Sequence, residues 1–414
     1  MIAIPTLSRR SVMRWGLVSA GASLVSRVAG ASALAQVGGR SEGQLFPGKN
    51  LPGGGQMDIR ISQSPDNPDQ DLVDVARRLR PYDPDSWHVE WKRVAELNEE
   101  LAEKLAAEGR KHSAVEFYER AATFHSRSCT YLPESDNRML PAYNRILGAC
   151  RKSWQLVKPN SEQIEIPWEG GKTLTAFFRK PGGPAGTKFP AVFAFGGADS
   201  ISSAPGARSG GSGYLARGMA YLSVEGPGQS GSLRVKGIHQ APDSERFAKA
   251  VFDYLVSRPD VDPNRIGMTG SSMGGYGAPR AATGEHRCKA VAVWSGAYSL
   301  QPDIFDFYPP IQERLRWIIG SKDLADARKK MAEFTIEGIA NKIECPMLIG
   351  YSKDDRVMDP AGALRLYQNA TNSKREMVEG TGHNSRVGGP PPMRLSRDNI
   401  LADFMARHLV ALSS

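Results

Sequence analysis

The stretch RIGMTGSSMGGYGAPRAA, residues 265–282, decides how the fold of this chain is interpreted. Two adjacent serines lie in it between glycines. Its centre, GSSMG at 270–274, fits the pattern G-x-S-x-G around Ser272. A buried strand precedes the pattern and a helix of small residues follows it, a setting that raises a serine hydroxyl above a sheet edge. Only glycines fit so sharp a turn at Gly270 and Gly274, and the preceding serine lies one residue too early. The pattern therefore predicts that Ser272 is a nucleophile.

The chain around this turn alternates between strands and helices. After Lys158, short apolar runs end in glycine or aspartate, and helical stretches such as SERFAKAVFDYLVSRP (244–259) separate them. Runs of this length indicate buried parallel strands, and their alternation with helices indicates an α/β, doubly wound, mostly parallel sheet. Ligands bind such sheets beyond the carboxyl ends of the strands. We therefore look for functional residues in the loops that follow them.

Composition divides the chain into four segments: an export signal at 1–35, a Gly/Pro/Ser-rich lead-in at 36–69, a helical segment at 70–157 and the sheet domain at 158–414. The helical segment repeats apolar residues at steps of three and four, which predicts helices that bury one face. The repeating positions are Trp87, Trp91, Val94, Leu97, Leu101 and Leu105. At the start of the sheet domain, EQIEIPW and TLTAFFRK predict a hairpin around Glu169.

The N-terminus has the layout of an export signal. Arg9 and Arg10 precede a small, mildly apolar run that ends in an A-x-A cleavage site at residues 33–35. The S-R-R-x-V-M pattern resembles a twin-arginine signal, which exports folded proteins. Arg27 interrupts the apolar run, which is too short to span a bilayer. We expect a periplasmic or secreted protein with no stable membrane insertion after the signal is removed.

Charge and cysteine content exclude several functions. The formal net charge is +9, but four arginines in the first 35 residues leave about +5 for the rest. No Lys/Arg block alternates with aromatic residues, so we expect no nucleic-acid partner. The four cysteines form no C-x-x-C pair and have no histidine at metal-ligand spacing, so we expect neither metal nor cofactor. Cys288 and Cys345 precede two predicted strands, and the sequence leaves open whether they form a disulfide.

A serine nucleophile needs a base, and the base needs an orienting acid. Of seven histidines, only His383 lies in a loop that directly follows a predicted strand of the sheet domain, so we predict His383 as the base. His239 is the runner-up. The preceding strand ends in an aspartate pair. We predict Asp354 as the orienting acid and keep Asp355 as the alternative.

The third requirement is a pair of N–H donors for the oxyanion that forms on a carbonyl under attack. The N–H of Met273 follows the nucleophile and is the first candidate. The loop after the strand AVFAF reads GGAD, and its glycines let the backbone approach an intermediate closely. The N–H of Gly197 or of Ala198 is therefore the second candidate.

These motifs together resemble the α/β-hydrolase superfamily. Within it, the chain is similar to the branch of the 2,6-dihydroxypseudooxynicotine hydrolases, the fermentation-respiration switch protein type and the fungal polyketide-shortening hydrolases. The likeness runs from Trp87 to the C-terminus, and its most specific marks are GPGQ at 226–229 and GYGAPR at 275–280. The resemblance implies an α/β-hydrolase fold, a helical cap over the active site and a homodimer.

The resemblance also implies two kinds of chemistry. Some members of the branch cleave a carbon–carbon bond beside a carbonyl, with an acidic residue in the lid segment, here 299–317; others are esterases. Asp306 is the candidate lid acid, and Asp303 and Glu313 lie close by. The aromatic residues of the lid suggest an apolar or aromatic substrate, although they can equally pack against the cap. Those residues are Phe305, Phe307, Tyr308 and Trp317.

The sequence therefore predicts a serine hydrolase that acts on a small carbonyl compound, a carboxylic ester or an acyl carbon–carbon bond, through an acyl-enzyme on Ser272. A prolyl-oligopeptidase-like exopeptidase is the second interpretation, because the G-x-S-x-G pattern and the DDRV run that contains Asp354 and Asp355 also occur in that family. A binding protein on an inactive hydrolase fold is the third, and the intact Ser…Asp…His order argues against it.

Overall fold

The computed structural model describes residues 70–80, 83–157, 161–198, 200–201, 211–383 and 395–410. The predicted signal and lead-in fall outside these residues. Helix α1, Gln70–Arg78, belongs to one compact unit, and the described residues from Leu79 onward belong to another. Within α1, Leu72, Val73 and Val75 are buried.

Three long helices fill the rest of the predicted helical segment, and we call them the cap helices. They are α2 (Pro84–Ala107), α3 (Lys111–Ser128) and α4 (Met139–Val157). Asp83 caps α2 by accepting a hydrogen bond from the N–H of Ser86, and Pro84 occupies the first turn, where no N–H donor is required. The cap helices share one hydrophobic cluster, to which Phe177 of the sheet also belongs.

The buried face of α2 differs in part from the predicted one. Trp91 and Val94 are buried as expected, but Leu97 is 51% exposed and Leu101 is 39% exposed. Asn98 is buried instead, donates a hydrogen bond to the Val94 carbonyl at 2.8 Å, and accepts one from a cap arginine. Apolar spacing misses such positions, because a polar side chain that finds partners can occupy the inner face.

An eight-stranded sheet follows the cap helices, in the order β1-β2-β4-β3-β5-β6-β7-β8. The first two pairs, β1–β2 and β2–β4, are antiparallel, and every later pair is parallel. The strands are β1 (Ser161–Pro167), β2 (Thr173–Arg179), β3 (Phe189–Phe195), β4 (Ala220–Val224), β5 (Val261–Ser271), β6 (Val291–Trp294), β7 (Met347–Tyr351) and β8 (Arg375–Glu379). The sheet confirms the predicted fold class, and β1 and β2 form the predicted hairpin around Glu169.

Helices cover both faces of this sheet, as its continuous apolar strands require. Val293 and Ile349 point into the larger core cluster on one face, whereas Ala292 and Leu348 point into a second cluster on the other. The helices are α5 (Ser212–Leu215), α6 (Ser230–Arg234), α7 (Ser244–Ser257), α8 (Met273–Ala282), α9 (Gln312–Ile318), α10 (Leu324–Met331), α11 (Pro360–Asn369) and α12 (Arg397–Leu409).

All four cysteines are free thiols. Cys288 and Cys345 precede the neighbouring strands β6 and β7, as the sequence suggested. Cys288 is buried and donates a hydrogen bond to the Ala290 carbonyl at 3.2 Å, and its burial raises the pKa of its thiol. Among the described residues, no helix is long and apolar enough to cross a membrane.

Candidate active site

The turn between β5 and α8 holds Ser272 in a strained backbone conformation. Ser272 has φ 57° and ψ −124°, in a backbone region that L-residues rarely adopt. Its N–H donates to the Trp294 carbonyl at 3.1 Å, which ties the turn to the end of β6. A Cβ atom at Gly274 would lie 2.5 Å from the Phe195 carbonyl oxygen, and one at Gly270 would collide with the Gly274 carbonyl. Both glycines are therefore required by close backbone approach, as predicted.

A cluster of three side chains, of which Ser295 and Asp355 are buried, lies at the same edge of the sheet. His383 Nδ1 lies 2.9 Å from Asp355 Oδ2 and 3.1 Å from Asp355 Oδ1. The hydroxyl of Ser295 donates to Asp355 Oδ2 at 2.9 Å and lies 3.4 Å from His383 Nδ1. Because Asp355 follows β7, His383 follows β8 and Ser295 follows β6, three neighbouring strands deliver the cluster to one place.

The prediction that Asp354 orients the histidine is wrong, and Asp355 occupies that position. Oδ1 of Asp355 accepts the N–H of Val357 at 2.9 Å and that of Met358 at 3.0 Å, so the turn folds this carboxylate inward. Asp354 is exposed, and its Oδ1 accepts the Gly382 N–H at 2.7 Å. It therefore fixes the loop that carries His383 without touching the imidazole.

The environment of Asp355 favours its charged form. Burial alone would raise the pKa of this carboxyl, because only 4% of the residue is exposed. The hydrogen bond and charge of His383, together with the N–H groups of Met358 and Val357, outweigh burial and lower the pKa below its ordinary value. A charged carboxylate at this point accepts the hydrogen bond of the ring and fixes its orientation.

Ser272 adjoins this cluster through the backbone. In the part of the chain that the structure describes, no hydrogen bond joins the Ser272 hydroxyl to His383. Ser295, however, directly follows the carbonyl that holds the Ser272 N–H. Catalytic hydrogen bonds are often long in unliganded sites and tighten when substrate binds.

The predicted oxyanion loop, residues 196–198, lies against Ser272. A Cβ atom at Gly197 would be 3.7 Å from Ser272 Cβ, within van der Waals contact. Ala198 is buried beside it, and Met273 begins α8 directly after Ser272. Among the described residues, the N–H groups of Gly197, Ala198 and Met273 have no hydrogen-bond partner. The geometry thus leaves all three predicted donors available for an oxyanion.

Sequence reasoning gave no role to Gln229, which fixes this loop. Its Nε2 donates to the Gly196 carbonyl at 2.6 Å and lies 3.4 Å from the Gly197 carbonyl. Gln229 belongs to the GPGQ turn after β4 and is 7% exposed. The sequence does contain a signal for Gln229, because a polar residue in a glycine-containing turn after a buried strand is expected at the same sheet edge as Ser272. Ser295 was missed likewise, although WSG after β6 places it there.

Charged and polar contacts join the cap helices, and the loop between α3 and α4 that carries Glu134, to the sheet domain. Arg314 forms an ion pair with Glu134, and Arg234 lies 3.5 Å from the same carboxylate. Burial, followed by the like charge of Arg314, lowers the pKa of Arg234 to about 10. Tyr143 of α4 donates to the buried Glu225 at 2.7 Å. These contacts fix the position of the cap helices on the sheet.

The lid segment differs from the prediction. Asp306 is exposed and pairs with Arg328 at 2.7 Å, so the structure does not bring this candidate lid acid to the Ser272 turn. Asp303 is fully buried, accepts the N–H groups of Tyr298 and Ser299 and pairs with Arg365. Its contacts are structural, because they hold the start of the lid on the sheet edge.

The lid aromatics mainly pack into the protein. Phe305 and Tyr308 are buried in the core, and Trp317 packs partly against it. Phe307 is 39% exposed. They therefore give no direct support to an aromatic substrate. Among the described residues, no group of three or more His, Cys, Asp or Glu side chains could hold a metal ion.

A mostly parallel eight-stranded sheet, with a strained serine after β5 and a paired histidine after β8, defines the class of α/β-hydrolase-fold proteins. Comparison with known proteins narrows the class. The chain belongs to the FrsA-like esterase family, whose sequence profile matches residues 56–305. The profile of the prolyl oligopeptidase family matches residues 215–410.

Individual relatives agree with this assignment. Hydrolase LUC6 of a Fusarium species is 30% identical over 334 residues, which cover 69% of this chain and 78% of the relative. The 20-hydroxy-prefusarin hydrolase FUS2 of Gibberella moniliformis is 27% identical over 368 residues, covering 77% and 87%. The solved structure of 2,6-dihydroxy-pseudo-oxynicotine hydrolase superposes with a TM-score of 0.70 at 26% identity, covering 83% and 93%. The family and its relatives support a hydrolase of the α/β fold.

Proposed function

We propose that this protein is a serine hydrolase that cleaves a carboxylic ester, or an acyl carbon–carbon bond, through an acyl-enzyme on Ser272. One observation carries the proposal: a histidine–aspartate pair adjoins a serine at φ 57°, on the edge where the oxyanion loop lies. A nucleophile, a base with its orienting acid and N–H donors are the parts that acyl transfer requires. FrsA-like family membership supports the ester reaction.

The mechanism follows from these positions. Ser272 Oγ attacks the substrate carbonyl carbon, and its proton passes to Nε2 of His383. Asp355 holds Nδ1–H and stabilises the imidazolium, while the N–H of Met273 and that of Gly197 or Ala198 bind the oxyanion. The leaving group departs with the proton from His383. Water then attacks the acyl-enzyme, and the same histidine accepts the water proton and returns one to Ser272.

We propose a small substrate that carries a carbonyl group. Tyr143 of α4 donates to Glu225, and Arg314 pairs with Glu134 in the loop between α3 and α4, so the cap helices are held against the sheet domain. One of the similar structures suggests a substrate class, because its name refers to 2,6-dihydroxy-pseudo-oxynicotine, a hydroxylated aromatic compound. We propose aryl esters and aryl ketones as the first substrates to examine.

The test is covalent labelling with a fluorophosphonate, followed by peptide mass spectrometry. We expect one adduct, on Ser272, and no adduct in a folded Ser272→Ala variant. An adduct on Ser271 or Ser295 instead would contradict the assignment. No adduct on the folded wild-type protein would overturn the proposal and favour a binding protein.

We further propose that the protein is exported in folded form. The observation is the S-R-R-x-V-M pattern ahead of an A-x-A site. Full-length protein made in a bacterium with the twin-arginine pathway should reach the periplasm, and Arg9→Lys with Arg10→Lys should retain it in the cytoplasm. Equal periplasmic yields of both forms would contradict this.

A further inference from the structure

Ser295 follows β6 in a backbone conformation that is unfavourable for a serine. Its φ is 51°, and among the described residues it shares a positive φ with two other residues that are not glycine, Ser230 and Ser272. Glycine adopts this left-handed region without a steric penalty, whereas a serine there must be held by its surroundings. Backbone strain of this kind is concentrated at functional sites, so the contacts of the Ser295 side chain are informative.

The hydroxyl of Ser295 lies beside both members of the acid–base pair. It donates to Asp355 Oδ2 at 2.9 Å, and its oxygen lies 3.4 Å from His383 Nδ1. Ser295 and Asp355 are both buried, so this hydrogen bond forms away from bulk water, where it is stronger. Nδ1 is the ring nitrogen that faces the acid, whereas the proposed mechanism uses Nε2 for the Ser272 proton. The hydroxyl therefore contacts the pair on its acid side.

The carboxylate of Asp355 is held at both of its oxygens. Oδ1 accepts the N–H groups of Val357 and Met358, which belong to the same turn as the aspartate. The Cβ–Cγ torsion of an aspartate has broad preferences, so a carboxylate held at one oxygen can still tilt. The Ser295 hydroxyl holds Oδ2, and in the described part of the chain His383 is the other side chain that contacts this carboxylate. Contacts at both oxygens fix the plane in which Asp355 meets the imidazole.

The main chain at Ser295 also contacts the turn that carries Ser272. The Ser272 N–H donates to the carbonyl of Trp294, the residue before Ser295, at 3.1 Å. A Cβ atom at Gly275 would lie 2.5 Å from the Ser295 carbonyl oxygen, so the first turn of α8 lies directly against this residue. Ser295 therefore contacts the Ser272 turn through its main chain and the acid–base pair through its side chain.

We propose that Ser295 is a positioning residue, which fixes the carboxylate plane of Asp355 and thereby the orientation of the His383 ring. The left-handed backbone keeps the Ser295 main chain against the Ser272 turn while the hydroxyl reaches Oδ2. The effect on the His383–Asp355 pair does not depend on any reaction. The effect on rate rests on the proposed serine hydrolase function.

NMR of protein that is isotope-labelled at histidine tests the positioning without a substrate. The ring-nitrogen signals of His383 are those missing from a folded His383→Gln variant. Ser295→Ala should shift them, because Asp355 loses the contact at Oδ2. Ser373→Ala is the matched control, since it removes another buried hydroxyl, which donates to the Cys345 carbonyl at 2.7 Å at the amino end of β8. It should leave the signals unchanged, and unchanged signals in Ser295→Ala would overturn the proposal.

The rate of fluorophosphonate labelling at Ser272 tests the consequence for catalysis. Ser295→Ala and Ser295→Gly should both label about ten-fold more slowly than the wild-type protein, as expected for one lost hydrogen bond to a charged group. Glycine relieves the backbone strain, so Ser295→Gly keeps the test valid if the alanine variant does not fold. A wild-type labelling rate in the glycine variant would overturn the role of the hydroxyl. Ser373→Ala should label at the wild-type rate.

The two measurements separate this proposal from the proposed function. If the wild-type protein takes no label, the hydrolase assignment fails, and the ring-nitrogen signals alone decide the role of Ser295. If the protein hydrolyses an aryl ester, the Ser295 variants should lower kcat about ten-fold and change KM by less than about three-fold, because Ser295 acts through Asp355 and not on the substrate. A rise in KM alone would contradict the positioning role while the hydrolase assignment stands.

Discussion

Asp355 and Asp354 are neighbours with the same side chain and different roles. Asp355 points inward because two N–H groups of its own turn bind its carboxylate, and Asp354 points outward to the His383 loop. The sequence predicts an acid in this loop with good reason, since a strand ends there. It does not distinguish the two, because the choice depends on how the turn after β7 closes.

This difference makes a matched pair of substitutions informative. Asp355→Asn should lower kcat/KM for an aryl ester by about 10³–10⁴-fold, because the neutral amide no longer fixes the imidazole tautomer. Asp354→Asn should change it by only about two- to three-fold, since an amide oxygen still accepts the Gly382 N–H. Steady-state kinetics on both folded variants measure this, and an equal loss would return Asp354 to the mechanism.

Gln229 is a positioning residue for the oxyanion loop. Gln229→Glu replaces the donor with a second acceptor facing the Gly196 carbonyl, so the loop should shift away from Ser272. We expect kcat to fall about 10- to 100-fold while KM changes by less than about three-fold, because the loop acts on the developing oxyanion. Gln163→Glu, on the exposed part of β1, is the control. A rise in KM alone would argue for a substrate contact.

At the scale of elements, the sheet strands were predictable and the helix faces less so. Buried parallel strands are short, continuous apolar runs, whereas the helices of this chain have apolar residues at intervals of three and four. Helix α2 buries Asn98 while Leu97 stays exposed, because hydrogen bonds within the cap make a polar residue acceptable inside. Spacing alone carries no information about such partners.

Another buried polar residue of α2, His88, makes the free energy of unfolding depend on pH. His88 is 5% exposed, and its Nδ1 lies 3.1 Å from the Ser128 carbonyl. Burial, reinforced by the charge of Arg138, lowers the pKa of His88 below its ordinary value of 6.5. Below pH 6.5 His88 is therefore protonated more readily in the unfolded chain than in the folded one. The free energy of unfolding decreases as the pH decreases through this range.

A substitution isolates this effect. His88→Gln keeps an N–H donor for the Ser128 carbonyl but does not titrate. It should therefore lose less of its free energy of unfolding between pH 7.5 and 5.5 than the wild type does. Chemical denaturation at several pH values measures the slope. His286→Gln, at an exposed histidine, should keep the wild-type slope, and identical slopes in all three proteins would exclude His88 as the cause.

At the scale of the whole molecule, the cap helices and the sheet domain share buried polar contacts. Tyr143→Phe removes the hydroxyl that donates to the buried Glu225, and should lower the free energy of unfolding by about 1–3 kcal/mol. Tyr351→Phe removes the same type of bond, to Glu379 at 3.0 Å, on the surface. That change should cost less than about 0.5 kcal/mol. Urea denaturation compares them, and equal losses would show that the buried contact adds nothing.

The same scale explains what the sequence left open. Motif order predicts which loops meet at one edge, because parallel strands end together. It does not predict side-chain pairing across distant segments, such as Asp306 with Arg328 or Arg314 with Glu134. These pairs depend on how the lid and the cap helices pack, and local sequence patterns do not record that packing.

The backbone crowding at the Ser272 turn bears on mutational tolerance. A methyl group at Gly270 or Gly274 would meet main-chain atoms, which cannot rotate away as a side chain does. Even alanine would therefore push the start of α8 away from β5 or from the end of β3. Among random variants, these two codons should accept almost no change, whereas exposed positions of the cap helices such as Leu97 should vary freely. The limit on variation at this turn comes from the space available to the main chain, and it would persist in a variant that no longer used its serine.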